Sequence, residues 1–187
     1  DSIIVGNYVG QNALAAVGTC GSMGFLFFSL SSGLAIGIGI IVSQYFGAKD
    51  YQNVRTTIGS SLYVLSISAF IVTLIGVFLS PALLRLLQCP NTIFKDAVTY
   101  MRVTSLGIVF IALYNGVAAI LRALGDSKSP LYFLIISSIV NIALDLLFVL
   151  VLNWEVFGVA FATVISQAIS AIASFMYAYK KVDFFRL

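Results

Sequence analysis

Long runs without a single charged residue constrain this chain more than any other feature. None occurs between Asp1 and Lys49, nor between Arg55 and Arg85, Arg102 and Arg122, or Glu155 and Lys180. A helix needs about 20 apolar residues to cross about 30 Å of hydrocarbon, so each run has room for a membrane span. Only 9% of the residues are charged and 60% are hydrophobic, against roughly a quarter charged in an ordinary soluble domain. A water-soluble fold with so few charges would not stay dissolved, whereas a bilayer protein needs charges only at its loops. The sequence therefore predicts an all-α integral membrane protein.

The punctuation of the runs predicts the end of a first helix followed by five spans. Asp1 to Val9 finishes helix one, and Gly10-Gln11-Asn12 turns the chain. Helix two runs from Ala13 to Phe46 and would reach about 51 Å at 1.5 Å per residue. It is too long for one straight embedded crossing. It is expected to project from the membrane or bend near Gly33, Gly37 and Gly39. Helix three spans Val54–Leu79 and stops at Ser80-Pro81, with Pro90 and Asn91 in the loop that follows. Helix four spans Phe94–Leu124, ending at Gly125-Asp126. Helix five runs from Pro130, a first-turn proline, to Leu152, and helix six from Gly158 to Tyr179.

Other classes are excluded by what is absent. The chain has no histidine, which rules out a histidine metal site or a serine–histidine or cysteine–histidine catalytic pair within it. Cys20 falls in a span and Cys89 in a loop, so they do not form a disulfide framework. The net charge of +3 is too small and scattered for a nucleic-acid surface. No phosphate-binding glycine loop occurs. The opening Asp-Ser-Ile-Ile-Val-Gly lacks a methionine and a basic leader region, and the expectation is a first helix cut within the membrane. The Lys180–Leu187 end reads as a boundary leading onward, and a lobe lacking most of one helix is expected to fold poorly alone.

Polar residues inside the spans are the candidate site. An aspartate at a helix centre costs about 2.5–3.5 kcal/mol on insertion scales, so intramembrane acids are functional by default. Asp145 lies about two-thirds of the way through helix five, and Asp1 sits at a similar depth in helix one. Asn141 precedes Asp145 by four residues and shares its helix face. Together they offer hard oxygens suited to Na⁺, or a hydrogen-bonded proton site. Thr163 of helix six could add a hydroxyl, although a threonine in a membrane helix often bonds its own i−4 carbonyl. Tyr114 and Asn115 of helix four offer a ring face and an amide to a cationic ligand. Packing and a helix-to-helix hydrogen bond are an equally good account of them.

These residues fall within motifs that resemble the multidrug and toxic compound extrusion (MATE) family. Asp1-Ser2-Ile3-Ile4-Val5-Gly6 is similar to that family's Val-Asp-Thr-x-x-Val-Gly signature. Ser43-Gln44-Tyr45-Phe46-Gly47-Ala48 resembles its Gln-x-x-Gly-Ala segment. The run Leu121–Pro130 resembles its Arg-Gly-x-Gly-Asp-Thr-x-x-Pro loop, with Ala123 for a glycine and Ser127 for a threonine. Asn141–Asp145 resembles Asn-Ile-x-x-Asp, and Gly158–Thr163 resembles Gly-x-x-x-Ala-Thr. The motifs occur in family order along the chain.

The resemblance implies half of a twelve-helix, two-lobe antiporter, with residues 1–187 forming the N-terminal lobe and the second lobe as its partner. It implies export of small cationic amphiphiles across the cytoplasmic membrane, driven by Na⁺ or H⁺. No cofactor is implied beyond the coupling ion, and no enzyme activity. The family's cation site matches Asp1, Asn141, Asp145 and Thr163 here. The rival reading is a flippase for lipid-linked oligosaccharide or polysaccharide precursors. Such cavities require basic residues for pyrophosphate, and no Lys or Arg lies deep in a span. A non-transporting scaffold would leave Asn141 and Asp145 without a role.

Orientation follows from the positive-inside rule. With helix one exiting the cell, Lys49, Arg55, Arg122, Lys128, Lys180, Lys181 and Arg186 lie inside. Only Arg85, Lys95 and Arg102 lie outside. A cysteine placed at Ser127, in a background lacking Cys20 and Cys89, should resist impermeant thiol reagents added to intact cells. Preferential labelling from outside would reverse the topology.

Overall fold

The computed structural model describes residues 2–185 and is a bundle of helices with no strand among those residues. A short helix α1 (Ser2–Ile4) passes into a π-helical turn, Val5–Val9. Gly10 then reverses the chain at φ 128°, a backbone angle that side chains rarely adopt. Next come α2 (Gln11–Gly47), α3 (Tyr51–Phe78), α4 (Ser80–Leu86), α5 (Phe94–Leu106) and α6 (Ile108–Ala123). The last long helices are α7 (Lys128–Leu146), prolonged by a π-helical turn at Leu147–Val151, and α8 (Glu155–Lys181). Four of them are long and apolar enough to cross a membrane, and α5 with α6 makes a fifth span bent by 41°.

Two features differ from the sequence expectation, in the fourth span and after α3, while helix two takes one of its two expected courses. The fourth span is broken at Gly107, where a buried glycine accepts the side chain of Gln167 against its Cα. Helix two shows no break at Gly33, Gly37 or Gly39, and runs as one α-helix of 37 residues. Its length of about 55 Å therefore takes it beyond the hydrocarbon. The segment after α3 also forms a further short helix, α4, with Pro81 in its first turn.

Helix α6 is the hub, packed against α2, α3 and α8, with every residue from Gly116 to Leu121 buried. Small residues let its neighbours approach. A Cβ on Gly39 of α2 would lie 3.5 Å from that of Ala119. On α8 the buried residues Ala162, Ser166, Ser170, Ser174 and Ala178 recur every fourth position, a continuous stripe that admits close helix contact. Leucines, isoleucines and phenylalanines instead cover the outside, as on the exposed face Tyr63, Ile67, Phe70 and Phe78 of α3.

Apolar clusters close the two ends of the bundle. One end joins Val42, Val54, Ile58, Val117, Leu121 and Phe185. The opposite end has two clusters, one around Ala16, Leu84 and Met101 and one around Val5, Val17, Val149 and Val159. The first end carries Lys49, Arg55, Arg122, Lys128 and Lys180, so the structure gathers the basic loops on one side, as the charge pattern predicts. The aspartate motif of the α6–α7 loop is built there. Gly125 takes φ 96°, and Asp126 accepts hydrogen bonds from the Ser129 amide at 3.0 Å and the Tyr177 hydroxyl at 3.1 Å.

Close approach at Gly76 makes a test of the packing. A Cβ there would come within 2.7 Å of Ser105 Cβ, which is fixed to the α5 backbone. At Gly116 the obstacle is only the mobile methyl end of Leu65. Gly76→Ala should therefore cost about 1–3 kcal/mol, seen as a lower thermal unfolding temperature in detergent. Gly116→Ala should cost less, and the reverse order would contradict this packing.

Candidate functional site

Helix α7 is amphipathic in the inverted sense that a lipid solvent demands. Its buried residues are Pro130, Ser137 and Asp145, whose spacings of seven and eight place them on one stripe. Asn141 lies on the same stripe, one turn before Asp145. The opposite surface is exposed and apolar, with Leu131, Ile135, Ile139 and Ile142. A membrane helix hides its polar groups against other helices because hydrocarbon cannot solvate them. The stripe faces α8, where Ser137 Oγ donates to the Ser166 carbonyl at 2.9 Å and Ser170 Oγ donates to the Phe133 carbonyl at 3.3 Å.

Asp145 is fully buried, at 0% exposure. One turn away, the Asn141 side-chain amide nitrogen is buried without a hydrogen-bond partner among the described residues. Just beyond Asp145, the π-helical turn Leu147–Val151 packs against the π-helical turn Val5–Val9. Such turns open the regular hydrogen-bond ladder and often mark functional sites. Thr163 Oγ1 donates to the Val159 carbonyl at 3.0 Å, the i−4 contact. Asp1 lies outside the described residues.

A cavity of about 400 Å³ opens between α2, α5, α6 and α8. Thr163 lines it, with Tyr100, Thr104 and Gln167, while Asn141 and Asp145 do not reach its wall. Tyr100 joins the two regions. It packs against the Val5–Val149–Val159 cluster and lies within electrostatic reach of Asp145. A smaller cavity of about 190 Å³ is lined by Tyr114, Asn115, Ser137 and Gln167. Tyr114 donates to the Pro130 carbonyl at 2.8 Å, and Asn115 Nδ2 to Ser32 Oγ at 3.3 Å. Both polar groups thus hold helices together while the side chains line a chamber.

Gln167, Tyr100 and Thr104 line the larger cavity and are not among the polar residues singled out from the sequence. The signal for Gln167 was present: it follows Thr163 by four residues, the spacing that singled out Asn141 and Asp145. Tyr100 and Thr104 repeat that spacing on α5, facing the same cavity.

The family model described as MatE matches residues 1–147. A protein of Bacillus subtilis (strain 168) named probable multidrug resistance protein YpnP is 33% identical over 96% of the chain and 40% of its own length. The multidrug export protein MepA of Staphylococcus saprophyticus is 25% identical over 84% of the chain and 35% of its own length. A solved structure described as the inward-facing conformation of a multidrug resistance MATE family transporter superposes with a TM-score of 0.92 at 26% identity. That match covers 98% of this chain and 42% of the solved one. The chain thus spans about 40% of the length of the relatives it matches.

The loop carboxylate at the basic end yields a pH test. Hydrogen bonds from Ser129, with a further one from Tyr177, hold Asp126 below the usual carboxylate range. Because its folded pKa is depressed, its contribution to stability is complete above about pH 4, the ordinary aspartate range. The contribution is lost as pH falls through the folded value. Asp126→Asn should lower the unfolding temperature at pH 7 and flatten its decline on acidification. An acid limb unchanged by the substitution would contradict the assignment.

Proposed function

The chain belongs to the MatE family, and from that membership we propose that residues 1–187 form the N-terminal lobe of a two-lobe, cation-coupled exporter of small cationic amphiphiles. The lobe would work in the cytoplasmic membrane, with its basic loops inside. One observation carries the reading: the polar stripe of α7, ending at the fully buried Asp145, turned into the bundle beside a cavity of about 400 Å³. The names of the relatives, multidrug resistance and multidrug export proteins, support the substrate class. No observation favours a lipid-linked oligosaccharide flippase. A solved relative is described as a MATE family transporter, which supports transport as the activity.

The mechanism is competition for one negative charge. An ionised carboxylate inside hydrocarbon is costly, so it is stabilised by a proton, by Na⁺ with oxygen donors, or by the ammonium group of a drug. Asp145 and Asp1 would supply the charge, and Asn141 and Thr163 neutral oxygens. Asn141 stands one turn from the acid, a spacing suited to a shared ligand. Tyr114 and Asn115 would present a ring face and an amide to the organic cation in the smaller chamber. Entry of the coupling cation lowers affinity for the drug and favours the conformation that releases it outward, through the difference in affinity between states.

In the two-lobe protein, Asp145→Asn keeps side-chain size but removes the titrating charge. Dye efflux driven by an ion gradient should fall at least tenfold, the rate equivalent of about 1.4 kcal/mol, at normal expression. Substrate binding should also lose its dependence on pH or Na⁺. Asn141→Ala should weaken coupling less, since the charge remains. Efflux at the unmodified rate by correctly inserted Asp145→Asn protein would refute the assignment.

A further inference from the structure

The two cavities lie in line along the bundle. The larger takes Tyr100–Ile111 from the fourth span and Thr163–Gln167 from α8. The smaller takes Phe110–Asn115 and Gln167–Ser170 from the same helices. Both helices run toward the end where the basic loops gather. The smaller chamber therefore lies on the basic, inner side of the larger. Three residues line both chambers, Phe28, Ile111 and Gln167, and so form the wall between them.

Gln167 is the polar member of that wall. Its Oε1 is buried and receives no hydrogen bond among the described residues. A buried amide oxygen without a donor is destabilising, and its retention calls for an explanation. The side chain rests against Gly107, at the 41° bend of the fourth span, where an added Cβ would overlap Oε1. Glycine at the bend thus makes room for the amide oxygen, which is buried against the helix break. An amide oxygen is a hard acceptor, able to ligate Na⁺ or to accept from a hydrated proton.

We propose that Gln167 is the transfer ligand between the chambers. A coupling cation leaving the larger chamber for the inner side crosses the Phe28–Ile111 wall on the Gln167 amide oxygen. The assignment rests on the cation-coupled reading above and names the inward route of the ion.

The test uses the two-lobe protein in proteoliposomes, with a cationic dye and an imposed Na⁺ or proton gradient. Gln167→Leu removes the acceptor while keeping similar bulk. Gradient-driven dye transport should fall about tenfold, the scale of one lost polar contact. Competition of dye binding by Na⁺ or protons should stay within about twofold, because the Asp145 stripe is intact. Gln167→Glu, which keeps oxygen at that point, should recover most of the rate.

A second measurement does not depend on turnover. In a background lacking Cys20 and Cys89, a cysteine at Thr104 reports the larger chamber and one at Ser137 the smaller. Gln167→Ala should speed labelling at Thr104 from the inner side several-fold and leave Ser137 unchanged. Full transport by Gln167→Leu, with Asp145→Asn inactive, would overturn the transfer role and leave the coupled reading intact. Transport indifferent to both substitutions and to the gradient would overturn both. If Gln167→Leu does not fold, unchanged labelling at Thr104 in Gln167→Ala would overturn the proposal.

Discussion

Hydrocarbon offers no hydrogen bonds, and this rule governs the rest of the architecture. Every backbone amide and carbonyl at membrane depth must find its partner within the protein, which restricts spans to helices. Departures from the regular ladder are tolerable only where other helices shelter them. The structure follows this constraint in part. Val5, Phe148 and Val149 of the two π-helical turns and Gly107 at the helix break are buried, whereas Tyr8, Leu150 and Val151, near the loop ends of those turns, are exposed. Polar side chains need the same shelter. That is why the π-helical turns flank Asp145 and the helix break receives Gln167.

Shelter requires helices to approach closely, and small residues make that possible. In lipid, apolar side chains gain little by associating, so packing and interhelical hydrogen bonds must hold the bundle together. The Ala162–Ser166–Ser170–Ser174–Ala178 stripe brings α8 near enough for serine hydroxyls to reach carbonyls across the α7–α8 seam. The same seam encloses the polar stripe of α7. The small-residue contact is therefore a precondition for keeping an acid within the membrane. A large residue at Ser166 or Ser170 would separate the helices and expose Asn141 and Asp145 to lipid.

The features legible in the sequence were those written in charge and spacing. Uncharged runs delimit the spans, and Asn141 and Asp145 stand out because an amide and an acid one turn apart are conspicuous in an apolar helix. The break at Gly107 was not legible, since glycines in membrane helices serve close contact as often as bends. Gly39 packs on Ala119 in an unbroken helix, whereas Gly107 accommodates a glutamine at a bend. Only the neighbour decides between them. The α-to-π transitions at Val5 and Leu147 also carry no residue signature, because valine, leucine and phenylalanine suit either geometry. Thr163 illustrates a mixed outcome, with its hydroxyl on its own i−4 carbonyl and its side chain on the cavity wall.

Separation of the acid from the cavity bears on how the proposed exchange could work. Asp145 lies behind the wall, while Tyr100, Thr104 and Thr163 face the chamber. A drug held wholly in either chamber would then sense the carboxylate through low-dielectric protein rather than by direct contact. Coulomb attraction persists under those conditions: at an effective dielectric near 20, unit charges about 8 Å apart still interact by about 2 kcal/mol. Neutralising Asp145 with a proton or Na⁺ would remove that attraction without occupying the drug's volume. Couplings between sites typically amount to 1–3 kcal/mol, so even part of this interaction suffices. A small cation could thus displace a much larger one through charge alone, which fits a site that must release amphiphiles of many shapes.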